Sequence, residues 1–189
     1  TFAVSGPHIK VRFFGGWGYD KDLVDARDWI KQSYAGGVPM GGDLPPLPAG
    51  GKGTAPKFVV WAVKDPGSAN LDRIQVVKGW TQNGQSFEKV FDVVWAGDRK
   101  PDKYSGRVPA IRSTVDLDKA TYTNDVGAAE LKTVWSDPEF DASLHAFYYL
   151  RVVKVMWFDE PVDTHPIVRA RGVTLLLALN GAAVLLFGV

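Results

Sequence analysis

Between Phe58 and Trp95 three apolar-rich runs follow one another, and the third alternates with a period of two. The runs are Phe58-Val59-Val60-Trp61-Ala62-Val63, Ile74-Gln75-Val76-Val77 and Phe87 to Trp95. β-branched and aromatic residues dominate them and turn residues separate them, the pattern of strands. Asn83-Gly84 stands between the second and third runs, and both residue types tolerate the positive φ of a type I′ hairpin turn. In the third run Phe87, Lys89, Phe91, Val93 and Trp95 share one face, with Glu88, Val90, Asp92 and Val94 on the other. Together these stretches predict a β-meander with one buried face.

The flanks extend the pattern. Ile9, Val11 and Phe13 alternate with Lys10, Arg12 and Phe14, a strand ended by Gly15-Gly16. Leu23, Ala26, Ile30 and Tyr34 recur at spacings of three and four, which predicts a short amphipathic helix capped by Asp20 or Asp22. Gly36 to Pro56 is so rich in Gly and Pro that it reads as a long loop without regular structure. Thr114 to Leu117 and Ala120 to Thr123 read as short strands around Asp118-Lys119. Val126 to Trp135 fits a strand or a helix. Ser136-Asp137-Pro138-Glu139 resembles a capping box and predicts a helical turn before Leu144. Phe147 to Val155 reads as a long apolar strand, although Phe140, Leu144, Phe147 and Arg151 also fit a helical period.

From Gly172 to Val189 no residue is charged, and Arg169 and Arg171 stand just before. This run falls just short of the ~20 residues that span a bilayer as a helix. It reads either as a buried C-terminal helix or as a membrane helix with a cytoplasmic arginine flank. The expected fold class is therefore mainly β (α+β), an antiparallel, sandwich-like domain with one short helix near its start and an apolar C-terminal helix. The expected division is a β-rich domain over residues 1–158 and a polar linker with the apolar helix over residues 159–189.

Composition narrows function more than fold. A chain of 189 residues with 46% hydrophobic content can bury a sizeable core. A net charge of +1, without a basic cluster, gives no reason to expect nucleic acid. The absence of cysteine excludes disulfides, thiolate nucleophiles and cysteine-bound zinc. The first residues, Thr1 to Pro7, lack signal-peptide architecture and read as though continuing from a longer chain. The seven Trp point to a large aromatic share of core or binding surface.

Candidate chemistry is sparse. His8, His145 and His165 make no ligand spacing with a carboxylate, so no metal ligand is assigned. His145 neighbours Asp141 and Ser143 in sequence, but a triad is defined by geometry, and no catalytic residue is assigned. Gly50-Gly51-Lys52-Gly53-Thr54 lacks phosphate-loop spacing, and Pro56 follows where a helix should begin. Asp43, and Asp98 with its neighbour Arg99, sit in Gly-flanked loops and are the candidate ligand-binding residues. The plainer alternative is that each aspartate caps its own turn. Lys154, inside an apolar run, is read as snorkelling from the end of its element.

Several stretches resemble one family. They are Phe2 to Pro7 with Val11 to Trp17, Gly37 to Pro45, and Trp61 to Pro66 with Ala69 to Trp80, supported by Gly97-Asp98-Arg99 and Ala120 to Asn124. Over residues 1 to about 150 the chain resembles the C-terminal part of a large family of uncharacterised bacterial proteins related to PHP-type (polymerase and histidinol phosphatase) metal-dependent hydrolases. The resemblance implies a non-catalytic accessory domain, with the divalent metal and its ligands in a preceding hydrolase core and no cofactor in this chain. That core would be the partner of this domain.

The end of the chain resembles something else. Tyr148-Tyr149-Leu150-Arg151 to Phe158-Asp159-Glu160-Pro161, with the apolar tail, is similar to the C-terminal region of the antiporter-like subunit N of NADH:quinone oxidoreductase. Two resemblances meeting at one aromatic motif imply a fragment or a composite chain. The alternative functions are thus a membrane-arm piece of that oxidoreductase and a stand-alone ligand-binding β module. Localisation follows the same division: soluble or periplasmic for the β domain, membrane-associated if residues 172–189 insert.

Overall fold

In a computed structural model of the chain, residues 7–49, 54–116 and 118–155 are described, all within the compact unit Thr1–Phe158. The predicted C-terminal helix over 172–189 lies outside the described residues, as does His165. Among the described residues no helix is long and apolar enough to cross a membrane.

The strands are β1 (Lys10–Gly16), β2 (Gly37–Pro39), β3 (Lys57–Val63), β4 (Leu71–Gln82), β5 (Gln85–Trp95), β6 (Val115–Asp116), β7 (Thr121–Tyr122), β8 (Glu130–Ser136) and β9 (Ala146–Lys154). A 3-10 turn, Leu23–Asp25, and one helix, α1 (Trp29–Gly36), complete the regular elements. The first sheet has the order β2-β1-β3-β8 and the second β5-β4-β9, with β6-β7 a separate ribbon. All pairings are antiparallel.

The mainly β, antiparallel architecture matches the expectation, but the meander does not. β3 belongs to the first sheet, and β4 and β5 to the second. Only the β4–β5 hairpin survives, closed at Asn83 (φ 53°) and Gly84 (φ 75°), both left-handed as a type I′ turn requires. The strict alternation of β5 also fails. The register slips between Ile74 and Gln75, which pair with Val94 and Asp92, so Val93 is the extra residue of a β-bulge. Beyond the bulge Val94, rather than Val93, stands opposite the core residue Ile74.

The two sheets face each other across Phe13, Phe58, Val60, Ala62, Leu71, Ile74, Val76 and Leu131, all buried. Phe58 is the hub, with ring centroids 5.4 Å from Phe13, 5.8 Å from Trp135 and 4.5 Å from Tyr148. A second cluster lies on the other face of the first sheet. There Phe14 and Val59 are covered by Tyr19, Leu23 and Val24. β3 is thus buried on both faces, which explains why its apolar run is continuous rather than alternating.

Local expectations are corrected in four places. The predicted helix over Leu23–Tyr34 is broken into a 3-10 turn and α1, and neither Asp22 nor Asp28 caps through its side chain. Asp20 contributes its backbone carbonyl instead, accepting from the Leu23 amide at 3.2 Å. Gly15 and Gly16 continue β1 rather than ending it, because β2, inside the Gly-rich stretch, pairs with them. A Cβ on Gly37 would lie 2.1 Å from the Gly15 carbonyl oxygen, so this close pairing needs glycine. The expected capping box is absent: the Ser136 hydroxyl donates to the Pro56 carbonyl, and Asp137 rather than Ser136 accepts the Glu139 amide. The predicted strands at β6, β7 and β9 are present, and the ambiguous stretch before Trp135 is strand β8.

Candidate functional site

The sandwich is closed on one side and open on the other. On the closed side β5 and β8 approach, with Phe91 and Trp135 centroids 5.1 Å apart. On the open side a cleft of about 1040 Å³ lies between β1 and β9. Its floor is the inward face of β1, where Ile9, Val11, Phe13 and Gly15 alternate in sequence. Its wall is β9, which contributes every residue from Ala146 to Val152. The Gly-Pro loop forms the rim from Val38 to Leu44 and is pinned in two places. Leu44 packs on the core, and the Trp17 indole donates to the Pro45 carbonyl at 3.0 Å.

The charged residues that line the cleft are Asp43, Arg151 and Lys154, and Arg151 is turned to Gln75. Asp43 is exposed at the rim and Lys154 is half-buried at the end of β9. The Lys154 ammonium reaches the Ser68 hydroxyl at 3.4 Å, and among the described residues it makes no ion pair. Near this end Asp65 accepts the amides of His8 and Gly67, which hold its carboxyl below the usual range.

Two buried polar networks lie beside the cleft. In the first, Lys78 on the inward face of β4 donates to Asp137 Oδ2 at 2.7 Å and to the Glu139 carbonyl at 2.7 Å. Tyr148 on β9 donates its hydroxyl to the same Asp137 oxygen at 2.7 Å. Burial, then the bond to Asp137, raise the Tyr148 phenol pKa. The Asp137 side chain is 0% exposed and that of Lys78 only 4%, so this pair ties both sheets together out of reach of solvent.

The second network covers the outward face of the second sheet. A register irregularity between Leu71 and Arg73 makes Asp72 the extra residue, which lets its carboxylate turn toward Arg73 and Arg99. Arg73 also reaches Asp92 at 3.2 Å and donates to the carbonyls of Val108 and Pro109. Asp92 accepts the Val108 amide and the Gln75 amide group, and Arg151 donates to Gln75. Arg99 Nη2 lies 2.5 Å from Asp72 Oδ1 without hydrogen-bond geometry, an ion contact that leaves that oxygen formally unbonded. The network clamps the loop over residues 97–109 onto the sheet.

The sequence candidates fall in separate places. Asp43 lies at the cleft rim. Arg99 is a strut of the loop clamp, bonded to the Ala96 and Pro109 carbonyls as well as to Asp72. Asp98 is exposed beside Gly97. His8 and His145 are exposed and distant in the chain, and among the described residues no group of acids and histidines fits a metal ion. Lys78, Asp137 and Tyr148 were not singled out by sequence reasoning. The available signal was Lys78 at a core-facing position between Val76 and Trp80.

Fold and site define a two-sheet antiparallel β domain, open on one side, whose buried charges hold strands and loops together. Residues 1–157 match the family described as a protein of unknown function, DUF3604, and the chain belongs to that family. Short stretches are also similar to NADH-quinone oxidoreductase subunit N. The identity is 64% over 44 residues to the subunit of Paraburkholderia phymatum, covering 23% of this chain and 9% of the relative. It is 63% over 43 residues to that of Herminiimonas arsenicoxydans, with the same coverage. The chain thus spans about 9% of the length of these curated relatives. No solved structure matches.

Proposed function

We propose that residues 1 to about 150 form a non-catalytic accessory domain of a metal-dependent hydrolase of the PHP class, whose divalent metal is held in a preceding core. The observation that supports this reading is the use of the buried charges. Lys78, Asp137, Asp72, Arg73 and Asp92 each bridge one element to another, and the exposed carboxylates Asp102 and Asp141 bind the amides and hydroxyls of their own turns. Such groups build a scaffold rather than meet a substrate. In that role the domain would buttress or lid the core. Asp43 at the rim then belongs to a contact surface, and Asp98 with Arg99 to a clamped loop. Incubated with Mg²⁺, Mn²⁺ or Zn²⁺ and generic phosphoesters, the chain should show no turnover. Metal-dependent turnover that saturates with substrate would refute the reading.

A second reading takes the subunit N similarity as decisive and treats the chain as a membrane-arm piece of an NADH:quinone oxidoreductase. The observation favouring it is the 64% local identity. Partition of the purified chain into a detergent phase would support it. Peptide mapping across Leu144 to Met156 separates a continuous polypeptide from a composite gene: a peptide spanning the join establishes one chain.

A further inference from the structure

The cleft has the shape of an absent strand. The first sheet has four strands and the second has three. β8 is faced by β5, and the apolar residues of β1 and β3 meet those of β4 and β9, but the β2 side of the first sheet is faced by the cleft alone. β1 touches the cleft with alternate residues, as a strand does when one face is presented. β9 touches it with consecutive residues, as a strand does when its backbone edge is presented. Among the described residues β9 pairs with β4 on one side only. Its other edge therefore turns a row of amide and carbonyl groups toward the cleft, a template on which an extended chain can pair.

The ends of the slot carry opposite charges. Lys154 adjoins Ser68 at one end, where β9 finishes beside the β3–β4 connection. Asp43 stands at the other, next to Leu44, whose side chain lies over Gly15. We propose that this slot accepts an extended segment of another polypeptide as a fourth strand of the second sheet, antiparallel to β9. Its apolar side chains alternate onto Val11 and Phe13, its first residues carry a carboxylate that meets Lys154, and its last residues carry a cation that meets Asp43. Backbone pairing supplies the affinity, and the charged ends set the direction. The inference stands independently of any hydrolase core.

The probe is a blocked octapeptide of sequence Glu-Val-Thr-Val-Thr-Val-Thr-Lys, titrated into the whole chain by calorimetry and by amide hydrogen exchange. Saturation should slow exchange of alternate amides between Phe147 and Val153 at least about tenfold, because paired edge amides open only with the complex. A version with N-methyl groups on the edge-facing amides keeps the side chains and should not bind. The Lys-first, Glu-last peptide should bind about three- to tenfold more weakly, the scale of a partly buried ion pair, and Lys154→Glu, which leaves both ends of the slot acidic, should abolish that preference. Equal binding of the methylated peptide, unchanged β9 exchange, or preference for the Lys-first peptide would overturn the proposal. So would a peptide-free dimer that protects the same amides, since a second copy would then be the occupant.

Discussion

The buried ion pair at Lys78 and Asp137 gives the sharpest test of how this domain is held together. Lys78→Met preserves the length and apolar stem of the side chain but removes the ammonium. Asp137, fully buried, is then left with only the Tyr148 hydroxyl and the Glu139 amide at 2.8 Å. Uncovering a buried carboxylate in this way costs about 3–5 kcal/mol. At ~2–4 °C per kcal/mol for a chain of this size, the melting point should fall by roughly 6–20 °C. The double variant Lys78→Met with Asp137→Asn removes both charges. The introduced carboxamide still accepts the Glu139 amide through its oxygen, and its NH₂ group faces Tyr148. Only the Glu139 carbonyl then loses its donor, a loss of about 1–2 kcal/mol. The double variant should therefore be about 1–4 kcal/mol more stable than Lys78→Met alone, a coupling above the additive range. Urea unfolding at neutral pH, followed by tryptophan fluorescence, reads all the variants. If Lys78→Met costs under ~1 kcal/mol, or the double variant is as unstable as the single, the pair is not the buried brace between the sheets.

Three further outcomes follow from the same geometry. Gly79 pairs with Phe147, whose ring lies over it, and a Cβ there would come within 2.3 Å of that ring. Gly79→Ala should cost about 1 kcal/mol instead of stabilising the strand, and Phe147→Ala should abolish that cost in a double-mutant cycle by urea unfolding. Tyr19 donates to the Ser33 carbonyl at 2.6 Å, and burial pushes its phenol up to about 12. Its neutral form is favoured in the fold, so its contribution is complete below the unfolded value of ~10 and is lost as pH rises toward 12, by up to about 2–3 kcal/mol. Stability measured against pH should show this loss relative to Tyr19→Phe, and coincident curves would refute it. Gly84→Val forces a β-branched residue to a φ of 75° and should cost about 1–2 kcal/mol, whereas Asn83→Gly should cost a few tenths, read by thermal melts.

What was legible in the sequence is what local chemistry decides. Asn83-Gly84 specifies its hairpin because the turn conformation belongs to those two residues. The short β6–β7 ribbon around Asp118-Lys119 was readable for the same reason: Asp116 accepts the amides of Asp118 and Lys119, a turn closed by its own side chain. The sheet assignment of β3 was not readable, because its partners, β1 and β8, lie far from it in the chain. The apolar run at 58–63 announced burial on both faces but not which strands would provide it. The capping box failed because the Ser136 hydroxyl is turned to the Pro56 carbonyl, 80 residues away, an interaction that no local motif encodes, while Asp137 takes the Glu139 amide in its place. Arg99 read as a binding residue because it sits in a Gly-flanked loop. Its actual partner, Asp72, becomes available only through a bulge that sequence periodicity does not show.

The four sheet edges make the same point about function. β2 is three residues long and ends in Pro39, which cannot donate to a neighbouring strand. β5 carries Glu88 and Lys89 and a bulge at Val93. β8 carries Glu130 and Lys132, and Lys132 is tied back to the Val24 carbonyl at 2.9 Å. Each of these is a device that discourages pairing with another chain. β9 has no proline and no extra residue of its own; its charges are Arg151, which is turned to Gln75, and Lys154 at its last position, and Phe147 and Tyr149 are exposed on it. An edge left so open beside an apolar floor is a liability unless something covers it in use. Weaker protection here than on the other three edges is the reason to test β9, rather than the aspartates of the loops, for a pairing strand.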